Sequence, residues 1–170
     1  MSSRLGYNGA MDGYSAYRYY LGCRGWEGAP WATAFYPADL PSDWRLSYYG
    51  NFFTCVYLSY AQWGLREMTV LDRWVAEETD PAFRFVLEGN PRGETVEDRK
   101  RMERLTPRVG MVAGAGDGGE RLLRLTGTVD VAVLARRLQA LPESAEPWYL
   151  IGDDPAQLDP VRHLLEALGG

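Results

Sequence analysis

Polar side chains recur where the predicted strands of this chain end. The candidate ligand-binding residues are Arg24, Trp26, Tyr57, Ser59, Glu88 and Asp153. A parallel α/β sheet binds its ligands beyond the carboxyl ends of its strands. At that edge Arg24 would bind an anionic group, and Glu88 or Asp153 would bind a hydroxyl or a cation. The pattern predicts a site for a small polar ligand; the alternative is ordinary loop polarity around a vestigial site.

The aromatic residues of the first half of the chain offer a second kind of chemistry. The cluster comprises Trp26, Trp31, Tyr36, Trp44, Tyr48, Tyr49 and Trp63. Such rings can stack on sugar rings or on bases, and they can also simply fill a core and an interface. Both interpretations stay open from the sequence alone.

A glycine motif and the cysteines favour structural roles over chemistry. Residues Gly114–Gly119 match the G-x-G-x-x-G phosphate-binding pattern, but a strand and not a helix is predicted to follow, which favours a mobile surface loop. Cys23 and Cys55 lie on neighbouring predicted strands without the C-x-x-C spacing, and His163 is the only histidine. We therefore expect reduced, buried cysteines, no structural metal and no cofactor.

Composition narrows the classes of function. The chain has 170 residues, 46% of them apolar and 24% charged, which is typical of a globular domain. The net charge of −5 argues against nucleic acid and acidic membrane surfaces as partners. No apolar run approaches the roughly 18 residues of a membrane span, and no signal-like segment opens the chain, so the cytoplasm is expected. Arginine supplies every basic residue except Lys100, which is typical of a GC-rich bacterial genome.

The elements that would position these residues alternate along the chain. Residues 1–16 are predicted to form an irregular arm, and residues 17–170 a single α/β domain. Strands are predicted over Tyr17–Trp26, Thr54–Tyr60, Phe83–Leu87, Val109–Ala113, Leu122–Leu125 and Trp148–Ile151. Helices are predicted over Asp43–Phe53 after a Ser42 cap, over Leu65–Val75, over Thr95–Leu105 with a capping box, over Val131–Leu141, and from Asp154 onward. This order predicts a parallel sheet with right-handed crossovers and helices on its outer face.

Motifs spread along most of the chain resemble a known family. The run Gly22-Cys-Arg-Gly-Trp26, then Phe35-Tyr-Pro37, Leu40-Pro41, Trp44 and Tyr48-Tyr49, resembles the opening of the YecE-like family, domain of unknown function 72. Phe53–Tyr60 and Phe83–Leu87 are similar to the family's next two strands. The resemblance implies an incomplete TIM-barrel-like sheet of five or six strands, holding about the first five units of a longer barrel.

Departures from the family pattern bear on activity. The family has a glutamate where this chain has Tyr57, an asparagine at Ser59 and a lysine near Glu88. These positions face the end of the barrel at which βα-barrel active sites lie. We therefore expect a degenerate, non-catalytic binding or structural module. The alternative is a barrel-type enzyme that acts on a small sugar or a phosphorylated ligand at the strand ends.

An incomplete barrel raises the question of what covers its interior. The inner face is expected to carry Val56, Leu58, Phe85, Leu87 and Leu150. That surface would exceed the apolar area that monomers usually expose, and the edge strands would be unpaired. A homodimer is predicted for this reason; the alternative is a compact monomer capped by its own loops and helices.

Overall fold

The computed structural model describes residues 17–78, 80–114 and 121–169. The predicted arm over residues 1–16 and all of the glycine motif except Gly114 lie outside the described residues. Among the residues described, no helix combines the length and the apolar character needed to cross a membrane.

Six strands and seven α-helices make up the described part of the chain. The strands are β1 (Tyr19–Arg24), β2 (Cys55–Leu58), β3 (Arg84–Glu88), β4 (Val109–Ala113), β5 (Leu122–Leu125) and β6 (Trp148–Gly152). The helices are α1 (Ala32–Phe35), α2 (Arg45–Tyr49), α3 (Tyr60–Trp63), α4 (Met68–Glu77), α5 (Val96–Leu105), α6 (Val131–Gln139) and α7 (Pro155–Ala167). A 3₁₀ turn over Ser42–Trp44 precedes α2, and another over Thr106–Arg108 follows α5.

All neighbouring strands are parallel, in the order β4-β3-β2-β1-β6-β5. The sheet curls into a half-barrel with helices on its outer face, as predicted. In a complete eight-stranded barrel the first strand pairs with the second and the last. Here β1 pairs with β2 and β6, so β6 takes the place of the last strand. Residues 114–121 connect β4 and β5, the two outermost strands of the sheet.

Local capping signals explain where the longer helices begin. Thr95 and Asp98 form the predicted capping box: the Asp98 N–H donates to Thr95 Oγ1 at 3.0 Å, and the Thr95 N–H to Asp98 Oδ2 at 2.9 Å. Asp154 caps α7 by accepting from the Ala156 N–H at 2.9 Å. The predicted Ser42 cap is wrong, because Ser42 opens a 3₁₀ turn without a side-chain cap and α2 ends at Tyr49.

The outer core lies between the sheet and the helices. It contains Val56, Leu58, Phe85, Leu87 and Leu150, which are all at most 1% exposed. The sequence analysis predicts these five side chains on the inner face, and that prediction is wrong. Side chains alternate between the faces of a strand, and these positions face the helices.

The inner face is filled by aromatic rings from the three neighbouring strands β2, β1 and β6. Its buried members are Tyr20, Cys55, Tyr57, Val86, Met111, Ala113, Tyr149 and Ile151. Tyr20 and Tyr149 stack with their centroids 5.1 Å apart. Tyr149 reaches Gly110 on β4, where an added Cβ would lie 2.2 Å from the tyrosine hydroxyl. One chain thus covers its own interior, which removes the open apolar face from which a dimer was predicted.

A tyrosine hydroxyl is inserted between the two central strands. Tyr49 Oη accepts from the Cys23 N–H at 2.6 Å and donates to the Cys55 carbonyl at 2.8 Å. The side chain thus replaces a direct bond of the β1–β2 ladder. Gly22 fits beside it, because a Cβ there would lie 2.9 Å from the hydroxyl and 1.9 Å from the Cys55 oxygen.

Candidate functional site

Three of the predicted site residues meet at the carboxyl ends of β1, β2 and β3. Arg24 is the last residue of β1 and lies in register with Tyr57 on β2. Glu88 is the last residue of β3, two positions beyond Val86, which pairs with Tyr57. Parallel pairing therefore brings Arg24, Tyr57 and Glu88 to one edge of the sheet, as predicted.

Tyr57 is the centre of this group. Its ring is buried, and its hydroxyl donates to Glu88 Oε2 at 3.0 Å. The guanidinium carbon of Arg24 lies 5.6 Å from the ring centroid, and that of Arg124 lies 4.9 Å from it. Arg124 also donates from Nη2 to the tyrosine hydroxyl at 3.3 Å. Two cations thus contact one electron-rich ring, an arrangement that orients both guanidiniums.

Glu88 is held by the turn that follows β2. Its Oε1 accepts from the Tyr60 N–H at 3.0 Å, at the start of α3. The Trp63 indole N–H donates to the Glu88 carbonyl at 2.8 Å, which fixes the backbone as well. Each carboxylate oxygen therefore has one donor and keeps a free lone pair for a further one.

The pKa of the Tyr57 phenol is raised. Burial is the largest cause, and the hydrogen bond to the Glu88 carboxylate adds to it, while the hydrogen bond from Arg124 lowers the pKa. The phenol consequently stays protonated at neutral pH and acts as a hydrogen-bond donor to Glu88 rather than as a base.

Arg124 is the member of the site that sequence reasoning missed. It lies on β5, between Leu123 and Leu125, whose side chains face the outer core. Alternation alone places an arginine at that position on the inner side of the sheet. The alternation in Leu122–Leu125 indicates that Arg124 faces inward. It does not indicate that Arg124 lies near Tyr57, because only the curl of the sheet brings β5 to that ring.

The site is rich in positive charge. Arg24 and Arg124 are both exposed. Within the described part of the chain, neither guanidinium forms an ion pair with a carboxylate. Two unpaired guanidiniums beside one carboxylate can attract and orient an anion.

The other predicted residues occupy different surroundings. Trp26 is 4% exposed and packs in the outer core, with its ring 4.8 Å from that of Trp74. Ser59 precedes α3, where its N–H donates to Gln62 Oε1 at 2.8 Å. Asp153 is exposed in the loop after β6. The structure therefore places Trp26 in the packing of the molecule and not beside the Tyr57 ring.

The two cysteines do not converge. Cys23 packs in the outer core and Cys55 on the inner face, and both thiols are free. Burial raises the pKa of Cys23 to about 12, and the charges of Asp154 and Asp153 add to the effect. Among the described residues there is no cluster of three side chains of the types that ligate metals.

The fold and this edge define a parallel α/β half-barrel with a cationic site at the carboxyl ends of its strands. A family model described as "Protein of unknown function DUF72" matches residues 20–141, a range that includes Arg24, Tyr57, Glu88 and Arg124. The chain belongs to this family, which confirms the resemblance seen in its motifs. No curated protein and no solved structure matches the chain.

Proposed function

We propose that the protein is a non-catalytic binding module for a small anionic ligand that also carries hydroxyl groups. One observation carries this proposal: Arg24 on β1 and Arg124 on β5, two positions apart in the sheet, meet over the ring of Tyr57 without a carboxylate partner among the described residues. Two guanidiniums held this close repel each other, and a negative group that bridges them offsets that repulsion.

A phosphoryl or carboxylate group is the chemistry that suits two guanidiniums. Arginine presents a planar fork of donors that matches both groups, and it stays charged at any physiological pH. Glu88 would accept a hydrogen bond from a ligand hydroxyl, because each of its oxygens has one remaining lone pair. A small phosphorylated or carboxylated sugar combines both features.

A binding role is favoured over catalysis by the state of the nearby groups. The raised pKa of Tyr57 keeps this side chain protonated, and Glu88 is engaged by donors on both oxygens. Tyr57 also occupies the position at which the YecE-like pattern has a glutamate. The enzymatic alternative assigns Glu88 as a general base acting on the same class of ligand.

A thermal-shift screen tests the proposal. The probes are inorganic phosphate, a sugar phosphate, a hydroxycarboxylate and the neutral parent sugar. A ligand at 100 times its Kd stabilises the fold by about 2.7 kcal/mol. We expect stabilisation by an anionic probe but not by the neutral sugar, and its loss in Arg24→Ala and in Arg124→Ala. Arg136→Ala, an exposed arginine on α6, is the matched control.

The outcomes separate the alternatives. Equal stabilisation of the wild type and both site variants, or none by any anionic probe, contradicts the proposal. Phosphate release from the sugar phosphate that is abolished in Glu88→Gln supports the enzymatic alternative instead.

We also propose that the module acts as a homodimer in the cytoplasm. The support for a second copy is now the edge of the sheet: β4 and β5 are its outermost strands, and Val112 on β4 is 47% exposed. Two free, buried cysteines suit a reducing compartment.

A further inference from the structure

One tryptophan of the aromatic cluster is not used in packing. Trp44 is 64% exposed, whereas Trp26, Tyr36, Tyr49 and Trp63 are at most 4% exposed. Within the described residues, the Trp44 ring stacks on no other aromatic ring and lies under no guanidinium. The large apolar face of this indole is therefore available to a ligand.

Trp44 forms part of the wall of a groove on the outer surface of the molecule. The groove has a volume of about 470 Å³. It lies between the segment Ser42–Tyr49, which contains a 3₁₀ turn and α2, and the carboxyl-terminal end of α4. Tyr48 also lines it. This volume lies in the usual range for small-molecule sites. The groove shares no lining residue with the cationic site at the strand ends.

Hydrogen-bond donors and acceptors complete the lining of the groove. Asp43 and Glu77 supply carboxylate acceptors, Arg73 supplies donors, and the Asn51 amide supplies both. Arg73 Nε lies 3.6 Å from Glu77 Oε1, one turn apart on α4, so the pair holds its own geometry. Asp43, Asn51 and Arg73 are exposed and can reach a ligand in the groove.

The charges select the class of ligand. Two carboxylates against one guanidinium repel phosphates and carboxylates, so the groove does not suit the anion proposed for the strand ends. A simple organic cation would need acceptors and an aromatic face, but it would leave the donors of Arg73 and Asn51 unused. A neutral sugar uses all of these groups, because its hydroxyls both donate and accept while its ring carbons present an apolar face.

We infer that this groove binds a neutral pyranose, with the sugar ring stacked on Trp44 and its hydroxyls paired with Asp43, Asn51, Arg73 and Glu77. The aromatic cluster therefore serves both packing and ligand binding. Most of its rings fill the core, and Trp44 alone is exposed to the extent that stacking on a ligand requires.

Saturation-transfer NMR and tryptophan-fluorescence titration with methyl glycosides of glucose, galactose, mannose and N-acetylglucosamine test this inference. We expect at least one glycoside to bind the wild type and Trp44→Phe. Binding should weaken about tenfold or more in Trp44→Ala, as expected for the loss of one stacking contact. Leu65→Ala removes another exposed apolar side chain, 70% exposed, and should bind as the wild type does.

Several results would overturn the assignment. Failure of all four glycosides to bind the wild type contradicts it, and so does equal affinity of Trp44→Ala and the wild type. Binding of tetramethylammonium in place of every sugar would show that the groove is a cation site. Loss of binding in Glu77→Gln with a fold as stable as the wild type would further support the pairing with sugar hydroxyls.

Discussion

Replacing Gly110 with alanine tests whether the half-barrel closes over its own interior. In the structure the ring of Tyr149 crosses from β6 to the inner side of β4 and lies against Gly110. A Cβ at this position would lie 2.2 Å from the tyrosine Oη, 2.9 Å from its Cζ and 3.0 Å from Arg84 Cβ. Gly110 also stands where the pairing of β3 with β4 shifts register.

The expected cost follows from these contacts. Overpacking a filled core costs about 1–3 kcal/mol. Alanine also lowers the conformational entropy of the unfolded chain, which offsets about 0.4–1 kcal/mol of this cost. The φ angle of Gly110 is not in the left-handed region, so backbone strain adds nothing. We expect Gly110→Ala to lose about 1–2 kcal/mol of unfolding free energy, which lowers the Tm by about 2–8 °C.

Urea unfolding followed by circular dichroism measures this loss, and a double-mutant cycle locates its cause. Tyr149→Phe removes the atom nearest to the added Cβ. In that background Gly110→Ala should cost less, with a coupling of at least about 0.5 kcal/mol. A neutral Gly110→Ala, or an equal cost in both backgrounds, would refute the packing of Tyr149 across the interior.

Further predictions concern acid, thiols and assembly. Burial acts to raise the pKa of Asp98, but hydrogen bonds led by that from Asn90 lower it to about 2, below its ordinary 3.8. This carboxylate therefore stabilises the fold above about pH 4 and loses that contribution as the pH falls towards 2, a loss that should be absent from urea titrations of Asp98→Asn. Cys23 and Cys55 should react with a thiol reagent only as fast as the protein unfolds, and rapid reaction without urea would contradict their burial. Light scattering should give twice 19.1 kDa, reduced in Val112→Arg; a wild-type monomer would contradict the dimer.

Elements governed by local signals were predictable from the sequence. The bounds of β4 and β5 agree with their predicted ranges, and α5 begins after the Thr95 capping box as expected. Short-range chemistry determines these features, since caps and alternation depend on residues only a few positions apart.

The assignment of strand faces was not predictable in the same way. The central strands of a parallel sheet are buried on both sides, so apolar residues occupy both sets of alternate positions. Val56 on the outer side and Tyr57 on the inner side are both at most 2% exposed. The sequence therefore does not distinguish the inner face of these strands from the outer one. The five side chains predicted for the inner face lie in the outer core instead.

The candidate site was predictable in part, for a related reason. Arg24, Tyr57 and Glu88 lie on adjacent strands and follow from strand order alone. Arg124 comes from an edge strand and meets them only because the sheet curls. Trp26 follows Gly25, whose φ of 79° turns the chain away from the strand end, so its ring enters the outer core.

The central claim is that the two arginines over Tyr57 bind an anion, and NMR of the arginine side chains tests it most directly. The Nε–Hε resonances of Arg24 and Arg124 should shift together and saturate as a sugar phosphate is added, while that of Arg136 stays in place. The same titration of Arg124→Ala should leave Arg24 unmoved or weakly shifted. Saturable shifts confined to arginines elsewhere, or no shift at Arg24 and Arg124, would contradict the account.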